Sequence, residues 1–225
     1  LVHRVSGLPV AGDPVFGALR RLYDRLDGVR DLLVDGEITS ARLVVNAERL
    51  VVAEARRTYT YLSMFGYHVD AVIANRLLPD DVDHPWFDQW RVTQGEHLDR
   101  IREAFAPLPV FTAELASEEI IGTDALSAFA KACYGDGCPG PLGPAGRLSE
   151  VEPFRIEPDP ATGGVRIVLH LPGATADEVA LARTPEELVV TVGPHRRAIV
   201  LPDSLVRREV RGARFEDGRL VVEWV

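Results

Sequence analysis

Lysine is almost absent from this sequence. Of its 25 basic residues in 225, only Lys131 is a lysine and the rest are arginines. No run of the form GxxxxGK[ST] occurs, which excludes, within these residues, a glycine-rich loop that cradles phosphate with backbone amides and a lysine. Cysteine is scarce as well. Cys133 and Cys138 are too few for a secreted disulfide scaffold, and no further Cys or His stands near them to complete a zinc site. Long hydrophobic runs are missing: the stretch 58–69 holds 12 residues without a carboxylate, arginine or lysine, whereas a spanning helix needs about 20. The N-terminus shows no basic region followed by an apolar run. These absences predict a cytoplasmic chain that does not span a membrane. Positive charge is outweighed, with a net charge of -9. Such a chain lacks the broad positive field of a nucleic-acid binder, so no nucleic acid partner is expected.

What is present is ordinary globular material. Apolar residues make up 46% and charged residues 26%, which excludes disorder and fibrous repeats as global descriptions. The stretch 135–150, GDGCPGPLGPAGRLSE, is dominated by Gly and Pro and reads as a linker, because neither helix nor strand ladder persists through it. The expected division is 1–134, a linker at 135–150, and 151–225.

The first part alternates helical and β-branched patterns. Val15, Leu19, Leu22, Leu26 and Val29 recur at helical spacing across 13–33, with Asp13-Pro14 as cap and first turn. A strand is predicted at 41–45, a helix at 47–65 closed by Gly66, a strand at 69–75, a helix at 85–105, a strand at 108–111 and a helix at 123–134 capped by Thr123. Strands separated by helical crossovers predict a parallel sheet with flanking helices. The second part alternates with period two: Val165, Ile167, Leu169 and Leu171; Leu188, Val190 and Val192; Leu220, Val222 and Trp224. With turn signals between the runs, about seven short strands are expected in an all-β antiparallel sandwich.

Three phrases of the first part carry a resemblance: LLVDGEITSARLVVNAERLVVAEARRTYTYLSMFGYHVDAVIANRLLPDD at 32–81, the helix 94–105, and LPVFTAELASEEIIGTDAL at 108–126. In order and spacing they resemble the C-terminal half of the arsenite-pump-driving ATPases (ArsA), whose relatives target tail-anchored membrane proteins. The resemblance implies part of a P-loop NTPase fold with the phosphate-loop half absent from this chain. It also implies ATP with Mg2+ in the complete family member, a homodimer, and a protein client or membrane pump as partner. Residue by residue, it places Asn75 and the following Arg76 against the adenine edge, a role an amide suits by offering both donor and acceptor. The second base-lining segment corresponds to Glu114-Leu115-Ala116-Ser117, where the family usually has proline at the position of Glu114. No catalytic or metal-binding residue is carried over. Lys131 has no glycine loop before it, the zinc-binding CxxC of the targeting relatives corresponds here to His84-Pro85-Trp86-Phe87, and arsenite-binding thiolates have no equivalent.

Further along, the pattern 165–171, the LPG at 171–173 and the closing DGRLVVEW at 217–224 resemble the small heat-shock protein (α-crystallin) sandwich. No I-x-I tail follows Trp224, so polydisperse chaperone assemblies are not expected. Leu1 is not a start residue, which leads one to expect a piece of a longer polypeptide or a split or degenerate copy.

Other residues have blander readings. Arg56-Arg57 reach either an anion, the other subunit, or the carboxylates of Glu54 or Asp70; Tyr59, Tyr61, Leu62, Met64 and Phe65 read as core packing; His195 reads as a solvated hairpin tip. The leading expectation is therefore a part of an ArsA-like ATPase that supplies an adenine-side wall and a protein-contact sandwich. The alternatives are a non-catalytic binding or regulatory derivative, or a holdase-like chaperone.

Overall fold

The computed structural model describes residues 13–82, 84–135, 148–160 and 162–225. Most of the expected linker, 136–147, and Cys138 with it, lie outside the described residues.

The first part comprises α1 (Asp13–Val34), β1 (Ala41–Asn46), α2 (Arg49–Met64), β2 (Val69–Leu77), a short 3-10 turn (Pro85–Phe87), α3 (Asp88–Ala104), β3 (Val110–Glu114) and α4 (Gly122–Tyr134). Its three strands form one parallel sheet in the order β1-β2-β3. The crossover geometry anticipated from alternating strands and helices is thus observed.

Several boundaries move for local reasons. The helix expected from Ala47 begins at Arg49, because Ala47 is buried and Glu48 is extended at the N-cap. It ends in a Schellman arrangement: Tyr67 N–H donates to Leu62 C=O at 2.9 Å, Gly66 N–H donates to Ser63 C=O at 3.0 Å, and Gly66 takes φ +90°. The helix expected over 85–105 splits into the 3-10 turn and α3, with His84 Nδ1 accepting from Trp86 N–H at 3.2 Å. Strand β3 begins later than Leu108, since Pro109 has no N–H to give the ladder; its carbonyl instead receives Val72 N–H at 3.0 Å. Helix α4 begins at Gly122 with Ile121 at the cap position, so Thr123 lies inside the first turn.

One face of the sheet is covered. Val45, Val72 and Ala74 pack with Val52 and Tyr59 of α2, and with Ile101 of α3 and the following Phe105. On the other face, reached by strand alternation, Arg42 bonds Asp70 at 3.2 Å and lies 5.6 Å from the ring centroid of Tyr134 at the end of α4. Val44, on that same face, is 60% exposed.

The second part is all β. Its strands are β4 (Phe154–Pro158), β5 (Val165–His170), β6 (Val179–Arg183), β7 (Glu187–Val192), β8 (His195–Val200), β9 (Val210–Glu216) and β10 (Arg219–Trp224), with one helical turn, α5 (Asp203–Val206). They form two antiparallel sheets, β4-β5-β10-β9 and β6-β7-β8. Ile167, Leu169, Leu188, Val190, Leu220, Val222 and Trp224 from both sheets share one core. The β9–β10 hairpin turns on Asp217-Gly218 with φ +49° and +68°, the two positive values a type I′ turn needs.

The two parts meet along the C-terminal end of α2. Met64 belongs to the sandwich core, not to the sheet core. Tyr59 Oη lies 3.2 Å from His170 Nε2, Thr60 Oγ1 donates to Pro172 C=O, and the guanidinium of Arg197 donates to Met64 C=O. The packing role expected for Tyr59 and Met64 is therefore observed, divided between two cores. His195 is no solvated tip: its ring sits 3.9 Å, centroid to centroid, from that of Tyr61.

Candidate functional site

In a parallel sheet flanked by helices, ligands collect outside the carboxyl ends of the strands. Here that edge is formed by Asn46, Leu77 and Glu114 at the ends of β1, β2 and β3. Asn75 pairs with Asn46 across the β1–β2 ladder and is half-buried. Arg76, beside it, is exposed with φ +58°, a left-handed conformation that costs a non-glycine residue energy. It coincides with a register break: Ala74 pairs with Thr112, and the next pairing is Leu77 with Glu114. Asn75 and Arg76 thus occupy a bulge between regular ladder positions.

Two further contacts hold that bulge. Leu78 N–H donates to Gln94 Oε1 at 2.9 Å, and Gln94 Nε2 donates to Arg76 C=O at 3.3 Å, so one side chain of α3 fastens the turn from both sides. Leu115 N–H donates to Leu77 C=O at 2.8 Å and ties the segment after β3 to the same turn. Asn75, Arg76, Glu114 and Leu115, far apart in sequence, are all brought to one sheet edge.

Glu114 stands between two hollows. One, of about 340 Å³, is lined by Leu77, Leu78, Arg91, Gln94 and Glu114 among others. The other, of about 320 Å³, is lined by Thr112, Glu114, Leu115, Phe129 and Cys133 among others. Asn75 is not in the lining of either; it backs the turn from the β1 side. In the first hollow the Nε and Nη2 atoms of Arg91 are buried without a hydrogen-bond partner, while its Nη1 lies 3.6 Å from Asp88. Buried, unpaired donors are costly, and an acceptor-bearing ligand would relieve that cost. In the second hollow, burial pushes the Cys133 thiol above its ordinary pKa, with Arg42 pulling the other way. A raised thiol pKa disfavours the thiolate that metal binding needs.

Sequence reasoning missed Gln94 and Arg91. Both are half-buried polar residues of an amphipathic helix, where nothing in the spacing separates a clamp or an orphaned guanidinium from a solvated residue. Among the described residues, no cluster of His, Cys, Asp and Glu is arranged to hold a metal ion, and no helix is long and apolar enough to cross a membrane.

With the sheet edge and the sandwich in view, two family models match separate stretches of the chain. The family model described as "Anion-transporting ATPase" matches residues 6–135, and the one described as "HSP20-like domain found in ArsA" matches residues 162–224. The chain belongs to the ArsA family of anion-transporting ATPases and carries that family's HSP20-like module. It is 31% identical over 225 residues to the putative arsenical pump-driving ATPase 1 of Aquifex aeolicus, covering 98% of this chain and 55% of the relative. It is 33% identical over 198 residues to the putative arsenical pump-driving ATPase of Chlorobaculum tepidum, covering 88% and 47%. The protein of the same description in Prosthecochloris vibrioformis is 32% identical over 198 residues, covering 88% and 47%. The chain spans about half the length of these curated relatives.

Proposed function

We propose that this chain supplies the base-facing wall of a nucleotide site and a protein-contact sandwich to an ArsA-like ATPase. The observation that carries this reading is the convergence of Asn75, Arg76, Glu114 and Leu115 on the carboxyl edge of the sheet, beside a hollow holding the unpartnered donors of Arg91. The residues present suit a purine better than a triphosphate. A half-buried amide and a guanidinium offer the donors and acceptors a base edge takes up, whereas the one lysine, Lys131, is exposed on α4 and no glycine-rich loop of the phosphate-binding form is present in the sequence.

ATP with Mg2+, when bound, supplies phosphoryl-transfer chemistry, and the grip on its phosphates comes from residues other than these. What this chain's residues do is orient the base: Gln94 fixes the turn that presents Asn75 and Arg76, and the Leu115–Leu77 bond fixes the opposing segment. The working form is a cytoplasmic homodimer in which 1–134 forms part of the nucleotide unit, 135–150 links it, and 151–225 contacts a protein client or pump.

The test is binding of a fluorescent ATP analogue to the chain and to its Asn75→Ala variant. Loss of one good hydrogen-bonding partner is expected to weaken binding by about tenfold. Equal affinity of the two proteins would overturn the role given to Asn75, and absence of binding by both would overturn the site.

A further inference from the structure

We propose that the groove between α2 and α3 is a binding site for an anion bearing two or more phosphate charges, distinct from the sheet edge. The groove encloses about 480 Å³ and is lined by Arg49, Val52, Arg56, His97, Arg100 and Glu103 among others. None of these lines the two hollows beside Glu114.

The pairing pattern of the arginines on these two helices points to it. Those away from the groove each lie near a carboxylate one turn away: Arg57 with Glu54 at 2.6 Å, Arg102 with Asp99 at 3.1 Å, Arg91 with Asp88 at 3.6 Å. The three that line the groove have no ion pair among the described residues, Glu103 included. The sequence left Arg56 and Arg57 open between an anion, the other subunit and local carboxylates. The structure separates them, since Arg57 pairs with Glu54 and the carboxylate of Asp70 is met by Arg42. In a chain of net charge -9 this is a local excess of positive charge.

The chemistry of the lining selects the ligand. Arg49 and Arg56 are seven positions apart, two turns along one face of α2, and Arg100 faces them from α3. Guanidinium forks match phosphate oxygens bidentately, and three of them against one carboxylate favour a ligand with more than one negative charge. The imidazole of buried His97 adds a ring nitrogen to the wall. The volume lies within the range of small-molecule sites. The shared chemistry is adjacent phosphate groups, supplied either by a free diphosphate or by the phosphates of a nucleotide.

The experiment is calorimetric titration of the whole chain with pyrophosphate at low salt. Saturable binding is expected, weakened about tenfold by Arg56→Ala and by Arg100→Ala, and lost in the double variant. Arg20→Ala, on exposed α1, removes the same charge elsewhere and is expected to change nothing. The substituted arginines are exposed, so all variants should melt like the parent chain. The Asn75→Ala protein should bind pyrophosphate as the parent does, which separates this site from the base-facing wall. Displacement of pyrophosphate by ATP from that variant identifies a nucleotide as the source of the phosphates; no displacement identifies a free phosphate compound. Absence of saturable binding, or equal weakening by Arg20→Ala, would overturn the proposal.

Discussion

The two parts of this chain close their cores to different degrees. The sandwich buries Trp224, Ile167, Leu169, Leu171 and Leu205 completely, and its large apolar residues still exposed are Ile156, Val200 and Val225. In the parallel part, α1 exposes Val15, Phe16, Leu19, Leu22, Tyr23, Leu26 and Val29, and β1 exposes Val44. The residue types are alike, so side-chain hydrophobicity alone does not decide burial. An antiparallel sandwich supplies both of its layers from its own strands, whereas a parallel sheet needs helices on both faces and neighbours at its edges. Here three strands and four helices leave Val44 of β1 and most of the length of α1 uncovered among the described residues.

Substitutions can break this comparison. The largest effect is expected at Trp224, fully buried in the closed core, where Trp224→Ala should cost about 3–5 kcal/mol in urea denaturation. A cost below about 1 kcal/mol would show that the sandwich is not the tightly packed region.

The next effect lies where the two parts meet. Burial, and then the charges of Arg219 and Arg155, lower the pKa of His170 to about 4 from an ordinary 6.5. The folded chain therefore favours the neutral imidazole. Between about pH 6.5 and 4 the unfolded chain binds the extra proton, so stability is complete above that window and lost as pH falls through it, by on the order of 2–3 kcal/mol. The urea midpoint of the parent chain should drop more between pH 7.5 and 4.5 than that of His170→Gln. Parallel drops would remove His170 as the titrating group.

The smallest effect is expected at Leu26, which is 54% exposed. Leu26→Ala should change stability by no more than about 0.5 kcal/mol, against the several kcal/mol of a buried leucine. A large loss would mean that α1 is covered in solution.

Much of the architecture was legible in the sequence, because each element announces itself over a short window. Period-two runs such as Val165–Leu171 marked the sandwich strands, and Gly66 marked the end of α2. Boundaries slipped where one residue's backbone chemistry mattered, as at Pro109 and Glu48. The candidate edge was legible only through family resemblance, which aligned Asn75 and Glu114; the strained φ of Arg76 and the clamp by Gln94 were not. The meeting of the two parts was illegible for a different reason. Tyr59 and His170 are 111 residues apart, and no periodicity reports that one will close on the other. Which arginines of α2 and α3 would be left without carboxylates was hidden in the same way, since it depends on how the helices are turned against each other.

Helix α2 makes the two parts mechanically one. Its first turn carries Arg49 into the groove against α3 and its last residue, Met64, is seated among the sandwich side chains; the helix is 16 residues long, or about 24 Å of rigid rod. A helix so anchored cannot slide along its axis without dragging Met64 through a packed interior and breaking the Arg197 bond to its carbonyl. Displacing α2 therefore disturbs side chains at both ends of the rod, Arg49 in the groove against α3 and Met64 in the sandwich.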